Sequence, residues 1–276
     1  MSETTFIEWC DSIFNPWGCT WVSPARDDCY AARSTPARAL GIAWGPHGAR
    51  RRTSAENWNW KQPLHWEAKA DEFFAQHGRR RRVFCASLAD VFDNAVPTEW
   101  RQELFEHIRV TPHLDWLLLT KRPQNIVRMV QQCGAIADNG THFLPDNVWL
   151  GTTVEDNTRA QLNIPALLRT IPTLGARTLF LSVEPMLSPV GVFSEITGEL
   201  LHTSGYDDQP GWINWVICGG ESGPKARPMH PDWARGLRDQ CAAARVPFFM
   251  KQMGGTRDKR GALEDLPEDL RMRSHP

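Results

Sequence analysis

The 276 residues carry 31 Lys and Arg against 32 Asp and Glu, a net charge of -1, and 41% of them are hydrophobic. That length is too great for a small stapled domain and suits one α/β barrel of roughly 250 residues, while the charge balance gives no global pull toward nucleic acid or anionic membrane. No run of about 18 apolar residues and no charged-then-apolar leader occurs, so a soluble, cytoplasmic chain without a membrane partner is expected.

The chain begins with Thr5 to Cys10, apolar enough for a strand. Asp11 to Gly18 then leads into a loop, Asn15 to Tyr30, that is rich in Pro and Gly and holds Cys19 and Cys29. Such a loop can bend sulfur ligands toward one point. Asp27 or Asp28 is placed to cap a helix running to about Leu40, kinked or broken at Pro36. Residues 41–82 read as an irregular insertion with Gly45-Pro46, two arginine clusters (Arg50 to Arg52 and Arg79 to Arg82) and Trp58, Trp60 and Trp66. Arginine beside tryptophan can bind nucleic acid through stacking and phosphate contacts; equally, the arginines form a solvated surface over tryptophans packed on the barrel.

A rhythm follows. Apolar, β-rich runs recur every 31 to 36 residues: 83–86, 116–119, 148–151, 179–182, 215–218 and 246–249. That spacing is one strand-helix unit. Between them Trp100 to Ile108, Asn125 to Val130, Ala160 to Ile171 and Trp233 to Ala244 show helical periodicity. Continuous apolar strands alternating with helices imply a parallel sheet covered on both faces. The expected fold is therefore α/β, a parallel (βα) barrel, partial or TIM-like, formed by a single domain over 1–254. Residues 188–212 read as an inserted loop or hairpin, and 255–276 as a polar tail with one short helix.

Seven scattered cysteines argue against a disulfide framework. Cys85 and Cys218 lie in apolar runs and read as buried thiols; Cys133 and Cys241 read as helix packing residues. Each apolar run ends in polar groups: Ser87 and Asp90; Thr120, Lys121 and Arg122; Thr152, Thr153 and Glu155; Glu184; Gly219, Gly220, Glu221 and Ser222; Lys251 and Gln252. The carboxyl ends of parallel strands form the active-site face of such folds. Asp90, Lys121, Arg122, Glu155, Glu184, Glu221 and Lys251 are thus the candidate catalytic residues, with Ser182, Gly219, Gly220 and Glu221 as candidate cofactor contacts. The Gly219 to Gly223 turn would let a ligand approach the backbone, but lacks the glycine spacing of a dinucleotide fingerprint. His230-Pro231 reads mainly as a helix start. Cys19 and Cys29, with nine residues between them, are a weak metal signal alone, and Cys10 stands nine positions before Cys19 as a third candidate sulfur.

Several motifs in order carry a resemblance: Ile7-Glu8-Trp9; Asn15-Pro16 through Cys19-Thr20; Val22-Ser23-Pro24; Cys29-Tyr30-Ala31; Leu119 to Pro123; Val148 to Gly151 with Val154-Glu155-Asp156; Ser182 to Pro185; Gly219 to Gly223; and Arg227 to Pro231. Together they resemble the phage "gene product 37 / gene product 68" family over nearly the whole chain. The resemblance implies a radical S-adenosylmethionine barrel distantly similar to spore photoproduct lyase. It also implies a [4Fe-4S] cluster and S-adenosylmethionine as cofactors, and a nucleic-acid or nucleotide substrate. The family loop carries three thiols; here Cys19 and Cys29 match the first and third, and Arg26 stands at the middle position. Three readings follow. One is a radical enzyme with Cys10 or another ligand completing the cluster. Another is a cluster-less barrel binding nucleic acid or a protein partner through Arg26, Arg50 to Arg52 and Arg79 to Arg82. The third is a metal-independent enzyme using its carboxylates for acid–base work.

Overall fold

The computed structural model describes residues 5, 7–17, 52, 58–134, 144–192, 213–257, 259 and 261–276. Cys19, Arg26, Cys29, the expected helix to Leu40, Arg50, Arg51 and most of the 188–212 insertion lie outside them. Among the described residues seven strands follow one another in chain order, β1 to β7, the order of a parallel (βα) barrel. The expected α/β class is what the chain forms. The described elements fall into two compact units divided within the fourth strand, after Leu150.

The first unit carries β1 (Ser12–Phe14), β2 (Arg81–Cys85) and β3 (Leu114–Thr120). They pair in parallel, Ser12 opposite Val83 and Val83 opposite Trp116. Phe14, Val83, Trp116, Leu117 and Leu118 are sealed from solvent. Each such side chain stabilises the fold by about 1.5–3 kcal/mol. Of the strand expected over Thr5 to Cys10, the described residues 7–10 form none. They turn, with the Cys10 amide donating to Ile7 at 3.3 Å, and Trp9 packs on Phe84 with centroids 4.6 Å apart. The apolar residues there serve side-chain packing rather than a ladder.

The 41–82 segment is not irregular throughout. It contains α1 (Trp58–Ala68) and α2 (Ala70–His77), and its last two residues already belong to β2. Pro63 inside α1 hides the helix in the sequence. Gly78, at φ +68°, ends α2 and donates to Phe74 at 2.7 Å, a left-handed cap that glycine adopts without strain. The second arginine cluster is not a free basic surface either. Arg79 grips both oxygens of Asp11 at 2.6 and 2.9 Å. Arg81 lies over the Phe73 ring at 4.3 Å and donates to Ser12, and the nearly buried Arg82 lies over Trp149 at 5.2 Å. Burial brings the Arg82 pKa down to about 10.

Helix α3 (Thr98–Arg109) buries Arg101, Leu104, Phe105 and Ile108. Arg101 donates to the Val91, Asp93 and Val96 carbonyls at 3.0, 3.3 and 3.0 Å, satisfying the loop after β2. A 3-10 turn (Pro123–Asn125), α4 (Ile126–Gln132) and α6 (Thr170–Leu174) complete the unit. The fourth strand, β4, is Val148–Thr153.

The second unit begins with α5 (Asn157–Leu168), whose cap Asp156 accepts from the Arg159 amide at 2.8 Å. It continues with β5 (Thr178–Val183), β6 (Trp215–Gly219), α7 (Pro231–Ala243) and β7 (Phe248–Gln252). Phe180 faces Trp215 in register and Val216 faces Phe248, both pairs parallel. The Phe180 ring occupies the space above Gly151, where an added Cβ would lie 2.3 Å from it. Cys85 and Cys218 are buried as expected, and burial raises both thiols far above their ordinary range. The Cys241 thiol is pushed up to about 12 by burial. The tail is not merely polar: it forms two 3-10 turns (Leu263–Asp265 and Glu268–Leu270) in place of the one helix expected and buries Leu266 and Leu270. Among the described residues no helix is long and apolar enough to cross a membrane.

Candidate functional site

At the carboxyl end of the first unit, Asp90 is a buried hub. Its Oδ1 accepts from Thr120 Oγ1 at 2.7 Å and from the Phe92 amide at 3.0 Å. Its Oδ2 accepts from the Lys121 amide at 3.2 Å and from Arg122 Nη1 at 2.9 Å. Arg122 also reaches Asp93 at 3.6 Å. Sequence reading picked Asp90, Lys121 and Arg122, and the structure brings them together. Asp90 spends its acceptor capacity on tying the loop after β2 to the end of β3. Asn15, from the loop after β1, accepts from the Leu88 amide at 2.8 Å and donates to Ser87 at 3.1 Å, so this end of the unit is laced by side chains. Nothing in periodicity would have found Asn15, although the Asn-Pro pair marks a turn.

The second unit builds a different arrangement. Glu184 follows β5, Gly219 ends β6 and Lys251 lies on β7. The Lys251 ammonium meets Glu184 Oε2 at 2.5 Å, across the strand between them. Gly219 makes this possible: a Cβ there would lie 3.1 Å from Glu184 Oε2 and 3.4 Å from Gln252 Cγ. Ser182 Oγ donates to the other Glu184 oxygen at 3.4 Å. The Glu184 and Lys251 side chains are 13% and 19% exposed, so the pair is largely shielded from solvent.

Beside it the loop after β6 interlocks with the end of β7 and the loop that follows, through backbone contacts and the Gln252 side chain. Gln252 Nε2 donates to the Gly220 carbonyl at 2.8 Å, Gly220 N to Gln252 O at 3.0 Å, and Gly255 N to Glu221 O at 2.9 Å. A Cβ on Gly220 would stand 2.0 Å from the Met253 carbonyl oxygen, and one on Gly254, at φ +77°, 2.3 Å from that of Glu221. Both glycines are required by this close approach. The Glu221 carboxylate is taken by Arg227, through the amide at 2.9 Å and the guanidinium at 2.8 Å to each oxygen. Burial would raise the Glu221 pKa, but those Arg227 contacts outweigh it and hold the group below its ordinary value. Glu221 thus closes its own loop, and Arg227 is the partner sequence reasoning did not assign. Glu155 is buried, with its carbonyl accepting from the Leu187 amide at 2.9 Å. His230 caps α7, its Nδ1 accepting from the Asp232 amide at 3.2 Å, which is the helix start expected of it.

Of the three candidate sulfur ligands only Cys10 is described. It is buried, and its Sγ donates to the Ile7 carbonyl at 3.7 Å within the turn. Among the described residues no group of three or more His, Cys, Asp or Glu side chains is placed to hold a metal ion.

Compared with known proteins, residues 4–270 match the family described as "Protein of unknown function (DUF5131)". No curated protein matches the chain. Two solved structures are similar. A cysteine-to-serine mutant of spore photoproduct lyase is 12% identical with a TM-score of 0.45, over 89% of this chain and 66% of that one. Spore photoproduct lyase complexed with dinucleoside spore photoproduct is 12% identical with a TM-score of 0.39, over 87% and 61%. This chain thus spans under two thirds of either length. The phage family name rests on the motif resemblance alone.

Proposed function

The chain belongs to the family described as "Protein of unknown function (DUF5131)", and we propose that it is a radical SAM-like barrel protein that binds S-adenosylmethionine at the carboxyl ends of β5, β6 and β7. The observation that carries this is the Glu184–Lys251 pair meeting across Gly219 at 2.5 Å. A shielded carboxylate and ammonium side by side complement a ligand that presents its own ammonium and carboxylate together. The amino-acid end of S-adenosylmethionine is such a ligand, and the motif resemblance selects it from the wider class. Glu184 would accept from the ligand amine and Lys251 would donate to its carboxylate. Hydrogen bonds to charged groups contribute about 1.5–3 kcal/mol each, so losing one partner weakens binding roughly ten- to hundredfold.

The four-iron cluster fits less well. Cys19 and Cys29 supply two thiolates, the position between them in the loop is Arg26, and Cys10 is buried with its thiol on the Ile7 carbonyl. A guanidinium cannot ligate iron and stays protonated. The chemistry we assign to this chain is therefore the binding and orienting of ligand. The alternative of a nucleic-acid surface built on Arg79 to Arg82 is disfavoured by the Asp11 and aromatic contacts that hold three of those four side chains, Arg79, Arg81 and Arg82. Calorimetric titration with S-adenosylmethionine, and with S-adenosylhomocysteine as a ligand sharing the amino-acid end, tests the reading. Both should bind the unmodified chain, and Lys251→Met should weaken both at least tenfold. Equal affinities for the unmodified and Lys251→Met chains would refute it.

A further inference from the structure

Lys251 occupies a special place on β7. Cys218 of β6 pairs with Met250, but the next residue, Gly219, pairs with Gln252. Lys251 is therefore the extra residue of a β-bulge. A bulge re-aims one side chain and disrupts the ladder locally. Closing it by a one-residue slip would turn the side chain to the opposite face of the sheet. On the β6 side the bulge is held by Gly219 and Gly220 against Gln252.

The C-terminal segment lies along the far edge of β7. The Met250 amide donates to Met272 O at 2.8 Å and the Ser274 amide to Phe248 O at 3.0 Å, an antiparallel pairing centred on Phe249 and Arg273. Arg273 Nη2 donates to the carbonyls of Lys251 at 3.4 Å and Gly261 at 2.5 Å, and its guanidinium lies 5.5 Å from the Phe249 ring centre. Trp215 Nε1 donates to Ser274 O at 2.8 Å, and the His275 ring sits 5.2 Å from both Trp215 and Phe249. Upstream, Asp269 anchors the segment to α7: Arg235 takes both carboxylate oxygens at 2.8 and 3.0 Å, and Arg238 takes one of them at 2.8 Å and the Asp269 carbonyl at 3.0 Å. Leu266 and Leu270 are buried beneath it.

We propose that residues 266–275 are a strap that fixes the bulge at Lys251, and that Asp269 and Arg273 are positioning residues that decide which face of β7 presents the ammonium. The proposal rests on the reading of Glu184 and Lys251 as the ligand-contacting pair. Without the strap the far edge of β7 loses the Met272 and Ser274 pairing and the Arg273 contact, the bulge is held only from the β6 side through Gly220, and the Lys251–Glu184 contact opens from a distance.

The test is amine acylation of the full-length chain without ligand, followed lysine by lysine by mass spectrometry, with the exposed Lys225 as internal reference. In Asp269→Asn and Arg273→Ala, Lys251 should be modified faster relative to Lys225 by roughly tenfold, the factor that opening one charge-assisted contact brings. Asp269→Glu should restore the slow rate. A ratio unchanged within about twofold in both variants, even where their melting temperature falls, would overturn the proposal, since a merely structural strap changes stability and not the lysine. If neither variant folds, hydrogen exchange of the unmodified chain decides: the Ser274 and Met250 amides should open together, and Ser274 exchanging far faster than Met250 would contradict the strap's hold on β7. Because ligand is absent, failure here leaves the affinity test untouched, and failure of that test leaves this one readable.

Discussion

Replacing Asp90 by Ala removes one carboxylate and strands four donors. Thr120 Oγ1, the Phe92 and Lys121 amides and Arg122 Nη1 lose their acceptor at 2.7, 3.0, 3.2 and 2.9 Å. The largest loss is the guanidinium, because Arg122 is only 8% exposed and cannot recover water. Breaking a buried ion pair from one side costs about 3–5 kcal/mol. Asp93, 3.6 Å from Arg122 Nη2, offsets part of this, which places the expected loss near the lower end, about 3 kcal/mol. Asp90→Asn keeps one carbonyl oxygen and should lose less. Thermal unfolding at pH 7, followed by tryptophan fluorescence, should show a fall in Tm of roughly 6–12 °C for the alanine variant. Ligand affinity measured well below that Tm should be unchanged. A loss under about 1 kcal/mol would refute the hub reading, because it would mean that the four donors find other partners and that the carboxylate is available for ligand.

Three further outcomes follow from the geometry. Gly220→Ala places a Cβ 2.0 Å from the Met253 carbonyl oxygen, so the interlocked loops must separate; a loss of at least about 2 kcal/mol in denaturant unfolding is expected, together with weaker ligand binding. Glu221 has a folded-state pKa below its ordinary 4.5, so its contribution to stability is present above that value and lost as pH falls through the folded one. Melting temperatures between pH 6 and pH 3 should therefore fall less steeply in Glu221→Gln than in the unmodified chain. His107 behaves similarly at higher pH: burial lowers its pKa from 6.5 despite the Trp60 carbonyl, so the unfolded chain takes up the proton first and stability declines as pH drops below 6.5. Its ring stacks 6.1 Å from Phe14, and its buried Nε2 has no hydrogen-bond partner, so His107→Phe should flatten the melting temperature between pH 7 and pH 5.

The strands were legible because a sheet covered on both faces needs unbroken apolar runs, and 116–119 or 215–218 can hardly be read otherwise. The helices α1 and α2 were not, because Pro63 and the tryptophans of α1 break its helical signature while tertiary contacts sustain it. Arg79, Arg81 and Arg82 looked solvated because sequence shows their charge but not their partners: Asp11 and Trp149 lie far away in the chain, and Phe73 reaches Arg81 only because α2 turns back onto β2. At the site, strand-end position identified Glu184, Gly219 and Lys251. Their meeting depends on the register of three strands and on the bulge at Lys251, and neither leaves a periodic trace. Glu221 was legible as a polar loop residue; that Arg227, six residues on, would occupy it was not.

The most direct test of the ligand reading is protection of Lys251 from amine acylation by saturating S-adenosylmethionine in the unmodified chain. Protection of Lys251, with Lys225 unaffected and with the effect lost in Glu184→Gln, is the predicted result. Equal modification of Lys251 with and without bound ligand, at concentrations where calorimetry shows saturation, would contradict it and place the ligand elsewhere.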